Sequence, residues 1–215
     1  MKKLNRRKFL ASISALVATS LTGMVKASRI GWSLTPTETE GPFYPLRAQK
    51  DKDLDLTQIK GKSGRASGRV IVIELVVRDQ SGNGLENVQV DLWQANAAGR
   101  YRHSQDKNKS PLDPFFQGWA IVSSDKDGKI QFKTVFPGVY PASNTWNRPP
   151  HIHFKISKPS YVAITTQMYF PSHPLNEKDL LLQRKTTAEK KLMISTVDKE
   201  DADKFYYNVV LKKVG

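Results

Sequence analysis

The chain contains no cysteine. That excludes disulfides, thiolate metal sites, a cysteine nucleophile and a lipidated N-terminal cysteine. A bound metal would have to be held by His, Asp, Glu or Tyr. Internal repeats and low-complexity segments are absent. So is any basic stripe interleaved with aromatics, and so is any nucleic-acid-binding motif. The formal charge of +14 comes from 34 basic and 20 acidic residues. Beyond the N-terminus the lysines are scattered among acids, which describes a solvated basic surface and no nucleic-acid partner. Such a surface can still attract an anionic aromatic acid. The 215 residues, 39% hydrophobic and 25% charged, suit one soluble domain plus a processed segment.

Residues 1–27 carry six basic residues and no acid. Without them the balance falls to 28 basic against 20 acidic residues, or +8. A basic start is followed by an apolar run from Phe9 to Val25, then by Val25-Lys26-Ala27, with small residues at the −3 and −1 positions of a cleavage site. Ser, Thr and Gly dilute the run, which fits a removed signal better than a lasting anchor. Asn5-Arg6-Arg7-Lys8-Phe9-Leu10 resembles the twin-arginine signal, which implies export to the bacterial periplasm. The expected organisation is therefore a signal over 1–27 and one domain over 28–215, with no stable membrane anchor after processing.

The next stretch, Thr35 to Pro45, is too rich in Pro and turn formers for a helix or a central strand. Phe43 and Tyr44 argue for an extended arm laid over the domain instead of a linker. Arg69–Arg78 is apolar on both alternating faces and predicts a central strand buried on both sides. Val88, Val90 and Leu92 alternate with Gln89, Asp91 and Trp93, as in a half-buried strand. Asp125-Lys126-Asp127-Gly128 separates strand-like runs over 118–123 and 129–134 and predicts a hairpin. His151–Ser157, Ala163–Phe170 and Phe205–Lys212 complete the strands, and a short helix is predicted near Glu177–Arg184. Arg184–Asp203 is Lys-rich and shows no legible motif. Many short strands joined by Gly, Pro and Asn turns indicate an all-β sandwich.

Candidate chemistry centres on Arg148-Pro149-Pro150-His151-Ile152-His153-Phe154. Alternate residues of a strand share a face, so His151 and His153 point the same way, as a metal pair or as a polar strand face. Tyr101 and Tyr140 each sit at a strand-to-loop junction, where either a functional site or a half-buried packing residue is common.

Taken together, six segments resemble the intradiol ring-cleaving dioxygenases, and among them the protocatechuate 3,4-dioxygenase type. They are Thr-Glu-Gly-Pro-Phe-Tyr-Pro (39–45), Asp-Leu-Trp-Gln-Ala-Asn-Ala-Ala-Gly-Arg-Tyr-Arg-His (91–103), Pro-Leu-Asp-Pro (111–114), Pro-Gly-Val-Tyr-Pro (137–141), Arg-Pro-Pro-His-Ile-His-Phe (148–154) and Thr-Gln-Met-Tyr-Phe (166–170). They stand in that family's order and spacing. The resemblance implies an immunoglobulin- or prealbumin-like β-sandwich with long active-site loops. It also implies one Fe(III) per chain, held by Tyr101, Tyr140, His151 and His153. The substrate would be a catechol (protocatechuate, catechol or a relative) that reacts with O2 to give a cis,cis-muconate-type diacid. By the same resemblance Tyr140 is the axial tyrosine that the substrate displaces and that takes one of its protons. Arg148 stabilises charge on the ring, Gln167 hydrogen-bonds the oxygen-bearing intermediate, and Gly41, Pro42 and Arg102 line the substrate pocket. Hard phenolate oxygens suit the ferric state, and no Asp or Glu stands with the histidine pair to make a 2-His-1-carboxylate site. Ala142 departs from the pattern of the two-subunit enzymes, which carry an aromatic there, and implies a more open wall. An arm joined to a complete ligand set in one chain implies a single-gene enzyme, assembled as a homo-oligomer. Two other classes remain open at this point: an inactive periplasmic binding module of the same fold, and a zinc hydrolase built on the histidine pair.

Overall fold

A computed structural model describes residues 31–46, 49 and 51–215. The expected export signal over 1–27 lies outside these residues. No helix among those described is long and apolar enough to cross a membrane.

Ten strands account for most of the regular structure. They are β1 (Val70–Asp79), β2 (Gln89–Trp93), β3 (Trp119–Ser123), β4 (Lys129–Val135), β5 (Tyr140–Ser143), β6 (Trp146–Arg148), β7 (His151–Ser157), β8 (Ile164–Tyr169), β9 (Thr196–Val197) and β10 (Lys204–Leu211). One sheet has the order β4-β1-β10-β9, the other β3-β2-β7-β8, and β5 and β6 form a separate hairpin. The two larger sheets make the sandwich that the strand pattern predicts.

The core follows from alternation. Ile71, Ile73, Leu75 and Val77 of β1 are fully buried, as are Val90 and Leu92 of β2 and Ile152, Phe154 and Ile156 of β7. They belong to one apolar cluster between the sheets. Burying each such side chain contributes about 1.5–3 kcal/mol. Because Ile152 and Phe154 point inward, His151 and His153 lie on the outer face of their sheet.

Three expectations need correction. The turn at Asp125–Gly128 does not join paired strands: β3 pairs with β2 and β4 with β1, so the chain crosses from one sheet to the other there. The same turn residues serve a corner as well as a hairpin. Second, β1 is central but is not buried on both sides. Val70 is exposed and Val72 and Glu74 are half-exposed. Third, β2 is buried on both faces. Tyr44 and Trp119 cover its outer side and donate hydrogen bonds to the two oxygens of Asp91, at 2.6 and 2.5 Å.

The predicted helix near 177–184 is two 3-10 turns, Asn176–Lys178 and Leu182–Arg184. The one α-helix among the described residues, α1 (Thr187–Met193), falls in the Lys-rich segment and starts on a complete capping box between Thr186 and Glu189.

The extended arm is observed. Thr35 exchanges hydrogen bonds with Val210 of β10, and Glu38 N donates to the Thr165 carbonyl of β8 at 2.8 Å. Thr166 Oγ1 donates to the Pro36 carbonyl at 2.8 Å, and Lys155 pairs with Glu40 at 3.0 Å. The arm thus crosses one edge of the sandwich and ends over the face that carries the histidines.

Candidate metal centre

Strand register assembles the floor of the site. His153 stands opposite Trp93 of β2 on one side and Gln167 of β8 on the other, and His151 stands opposite Tyr169. Cross-strand neighbours share a face. The Trp93 indole stacks on the His153 ring at 4.8 Å with planes 11° apart, which fixes that imidazole. His151 Nδ1 donates to the Pro149 carbonyl at 2.7 Å. Its proton is therefore on Nδ1, and the Nε2 lone pair faces the site.

The two tyrosines arrive on loops that lock into each other. Asn96 Oδ1 accepts from the amides of Ala98 and Arg100, both at 2.9 Å, and shapes the turn before Tyr101. Asp106 then accepts from Tyr101 N at 2.7 Å. The Gly138 amide donates to the Asn96 carbonyl at 2.9 Å, so the loop carrying Tyr140 is bonded to the loop carrying Tyr101. Gly99 has φ +76°, and a Cβ there would lie 2.0 Å from the Val139 carbonyl oxygen. Gly99→Ala is therefore expected to cost about 1–3 kcal/mol in backbone strain and to part the two tyrosines. A urea titration checks it: the midpoint should fall at an unchanged m-value, and an unchanged midpoint would contradict this account of the loop.

Tyr101, Tyr140, His151 and His153 come together as predicted, all buried. Tyr101 Oη, His153 Nε2 and Arg148 Nη1 each lie 3.2 Å from His151 Nε2. The Tyr140 ring sits edge-on to Tyr101 at 5.5 Å and 5.8 Å from the His151 ring. One imidazole lone pair cannot satisfy three polar neighbours. His153 Nδ1 is buried and has no partner among the described residues. A cation between the imidazoles and the phenols would resolve this crowding, and the donor set fits ferric iron. Burial, aided by the Arg148 cation, holds both imidazoles well below the usual histidine range, so they are neutral and able to ligate. Burial pushes the Tyr101 phenol well above its ordinary value, and the neighbouring Tyr140 adds to the rise. Burial raises Tyr140 as well, opposed there by Arg148. Either phenol would need a cation beside it to ionise at neutral pH. No three His, Asp or Glu side chains cluster as a metal cage among the described residues.

Arg148 is not a surface ion pair. Its side chain is 3% exposed, and its Nε donates to Asp179 Oδ2 at 3.0 Å. Its Nη2 donates to Gln167 Oε1 at 2.7 Å and to the Tyr169 hydroxyl at 2.6 Å. Burial alone would weaken the cation, but Tyr169 and Asp179 outweigh it and keep the guanidinium protonated. Asp179 is itself held by the amides of Leu181 and Leu182, both at 3.0 Å. Gln167 is engaged at both ends, since its Nε2 donates to the Thr39 carbonyl of the arm at 2.9 Å. In this arrangement it links Arg148 to the arm.

Gly41 lies against His153, its Cβ direction ending 3.5 Å from the imidazole Cε1, and Pro42 follows at the surface. Phe43 packs on Tyr101 at 4.8 Å and on Tyr140 at 5.7 Å. Arg102 is placed elsewhere. Its guanidinium donates to the carbonyls of Asp113 and Phe116, at 2.7 and 2.9 Å. Sequence reasoning missed Asp179, Tyr169 and Trp93. Trp93 and Tyr169 could have been found from the register of their strands with β7, whereas Asp179 has no local signal.

An outer sheet face with two tyrosines and two histidines over a buried arginine defines a class as well as a geometry. A sequence model described as Dioxygenase matches residues 39–213. The chain belongs to the intradiol ring-cleavage dioxygenases, a family of non-haem iron enzymes. Among individual relatives, it is 37% identical over 179 residues to the protocatechuate 3,4-dioxygenase beta chain of Burkholderia cepacia, covering 80% of this chain and 76% of that one. It is 29% identical to the chlorocatechol 1,2-dioxygenase of Cupriavidus pinatubonensis, over 66% of this chain but only 57% of that one. The crystal structure of 3-chlorocatechol 1,2-dioxygenase from Rhodococcus opacus superposes with a TM-score of 0.64 at 25% identity, covering 87% of this chain and 75% of that one.

Proposed function

We propose that this chain inserts both atoms of O2 into a catechol-type substrate, between its two hydroxylated carbons, and releases a cis,cis-muconate-type diacid. One Fe(III) per chain is held by Tyr101, Tyr140, His151 and His153. The observation that carries this reading is the crowding of a phenol and a second imidazole around the His151 Nε2 lone pair. Ferric iron held there would supply Lewis acidity and would keep the phenolates ionised at neutral pH.

The chain's own residues do the rest. Tyr140, buried beside Tyr101 and His151, takes a substrate hydroxyl proton in this reading. Arg148, rigid in its pocket, faces negative charge that develops on the ring. Gln167 positions Arg148 and the arm. Gly41 and Pro42 close one wall, while Ala142, exposed on the β5–β6 hairpin, leaves another open. The substrate class is a catechol, and the departure at Ala142 from the two-subunit protocatechuate enzymes favours catechols other than protocatechuate itself. Residues 1–27 act as a twin-arginine signal that carries the folded, iron-loaded protein to the periplasm, where it works as a homo-oligomer.

Colour tests the ligand set. Iron-loaded protein should be red-brown from tyrosinate-to-iron charge transfer, and Tyr101→Phe should remove most of the visible band. An unchanged spectrum would contradict the Tyr101 assignment, and a colourless protein that retains zinc instead would overturn the reading.

A further inference from the structure

Asp91 lies on the same outer sheet face as the histidines and is 5% exposed. It forms no ion pair among the described residues. Its cross-strand neighbour Lys155 turns to Glu40 instead, at 3.0 Å. The carboxylate accepts from two neutral donors, the Tyr44 hydroxyl at 2.6 Å and the Trp119 indole N–H at 2.5 Å. A buried charge without a counter-ion stabilises a fold less than an apolar side chain in its place. What Asp91 does is hold its two donors.

Tyr44 carries that hold to the metal centre. Its ring meets Trp93 edge-on, with centroids 5.0 Å apart and planes at 89°. Trp93 in turn stacks on His153. The indole has no hydrogen bond of its own to keep it there, since Trp93 Nε1 is buried without a partner among the described residues. Packing holds it, and Tyr44 supplies part of that packing. Phe43, the residue before Tyr44, lies on Tyr101 and Tyr140. Anchoring one hydroxyl therefore seats two consecutive rings, which touch both tyrosines and the indole stacked on His153. Burial, and then the bond to Asp91, pushes the Tyr44 phenol up to about 12, so it remains a donor at neutral pH.

We propose that Asp91 is a positioning residue: by holding Tyr44 and Trp119 it sets the Trp93 indole against His153 and so aims that imidazole. The consequence for iron rests on the proposed function, whereas the aiming of the imidazole does not.

Proton NMR of the metal-free full chain, at a pH above the histidine range, tests the positioning. An imidazole stacked on an indole has its ring protons shielded, so the His153 Cε1–H should resonate upfield of its ordinary position. His153→Ala identifies that signal among the four histidines. Asp91→Leu removes both hydrogen bonds, and Tyr44→Phe keeps the ring and removes one. In each the signal should move downfield. Glu40→Gln, which breaks only the exposed ion pair between the arm and Lys155, should leave it in place. A cooperative thermal transition shows that a variant is folded, and if Asp91→Leu lacks one, Tyr44→Phe decides. An unmoved signal in the folded variants overturns the proposal. So does an equal displacement in Glu40→Gln, which would trace the effect to any loosening of the arm. Iron affinity, read by chelator competition, should fall roughly tenfold in Asp91→Leu, the lower end of what outer partners of a metal ligand contribute. A parent chain with the shielded signal but no iron binding would overturn the ferric reading and still support the positioning.

Discussion

His151→Ala is expected to lose iron and, with it, nearly all ring cleavage. His151 Nε2 is the atom on which Tyr101, His153 and Arg148 converge. Disturbing only the outer partners of a metal ligand lowers affinity by roughly 10–100-fold, and removing a ligand outright should exceed that. The metal-free protein should suffer less. The change leaves the Tyr101 hydroxyl and an Arg148 N–H without a partner, at about 1–3 kcal/mol, in a chain whose core between the sheets is untouched. Iron per chain by elemental analysis and oxygen uptake with catechol should fall together. Full iron content with normal uptake would remove His151 from the site.

Arg148→Met should damage both stability and turnover, and the two effects can be separated. Asp179 has no exposed side-chain surface, so it would be left as a buried charge without its counter-ion. Breaking one side of such a pair costs roughly 3–5 kcal/mol. Loss of a fixed positive charge facing the reacting ring should lower kcat by about 10²–10³-fold. In the double variant Arg148→Met/Asp179→Leu, the stranded carboxylate is gone. Thermal stability should return toward the parent value while turnover stays low. Recovery of both would mean that Arg148 serves only the fold.

Much of this site was legible because it depends on local rules. Two histidines two apart on a strand must share a face, and the alternating Ile152 and Phe154 show which face is the core. Tyr101 and Tyr140 are assigned through the family resemblance, since the turn residues beside them, Asn96, Gly99 and Gly138, fit a packing role equally well. Long-range pairing was not legible. Asp125–Gly128 has the composition of a hairpin turn, yet its flanking strands find better partners in β1 and β2. Nothing near Asp179 marks it as the partner of Arg148, 31 residues away. The second buried face of β2 depends on Tyr44, 47 residues upstream of Asp91. The capping box at Thr186–Glu189 is a local signal, but the surrounding lysines obscure the short helix it starts.

The most direct test is oxygen uptake by the iron-loaded protein with catechol, followed by the absorption spectrum of the product. Cleavage between the hydroxylated carbons predicts one O2 consumed per catechol and a muconate-type product without intense yellow colour. No uptake by protein holding one iron per chain, or a strongly yellow product from cleavage beside the hydroxyls, would contradict the account.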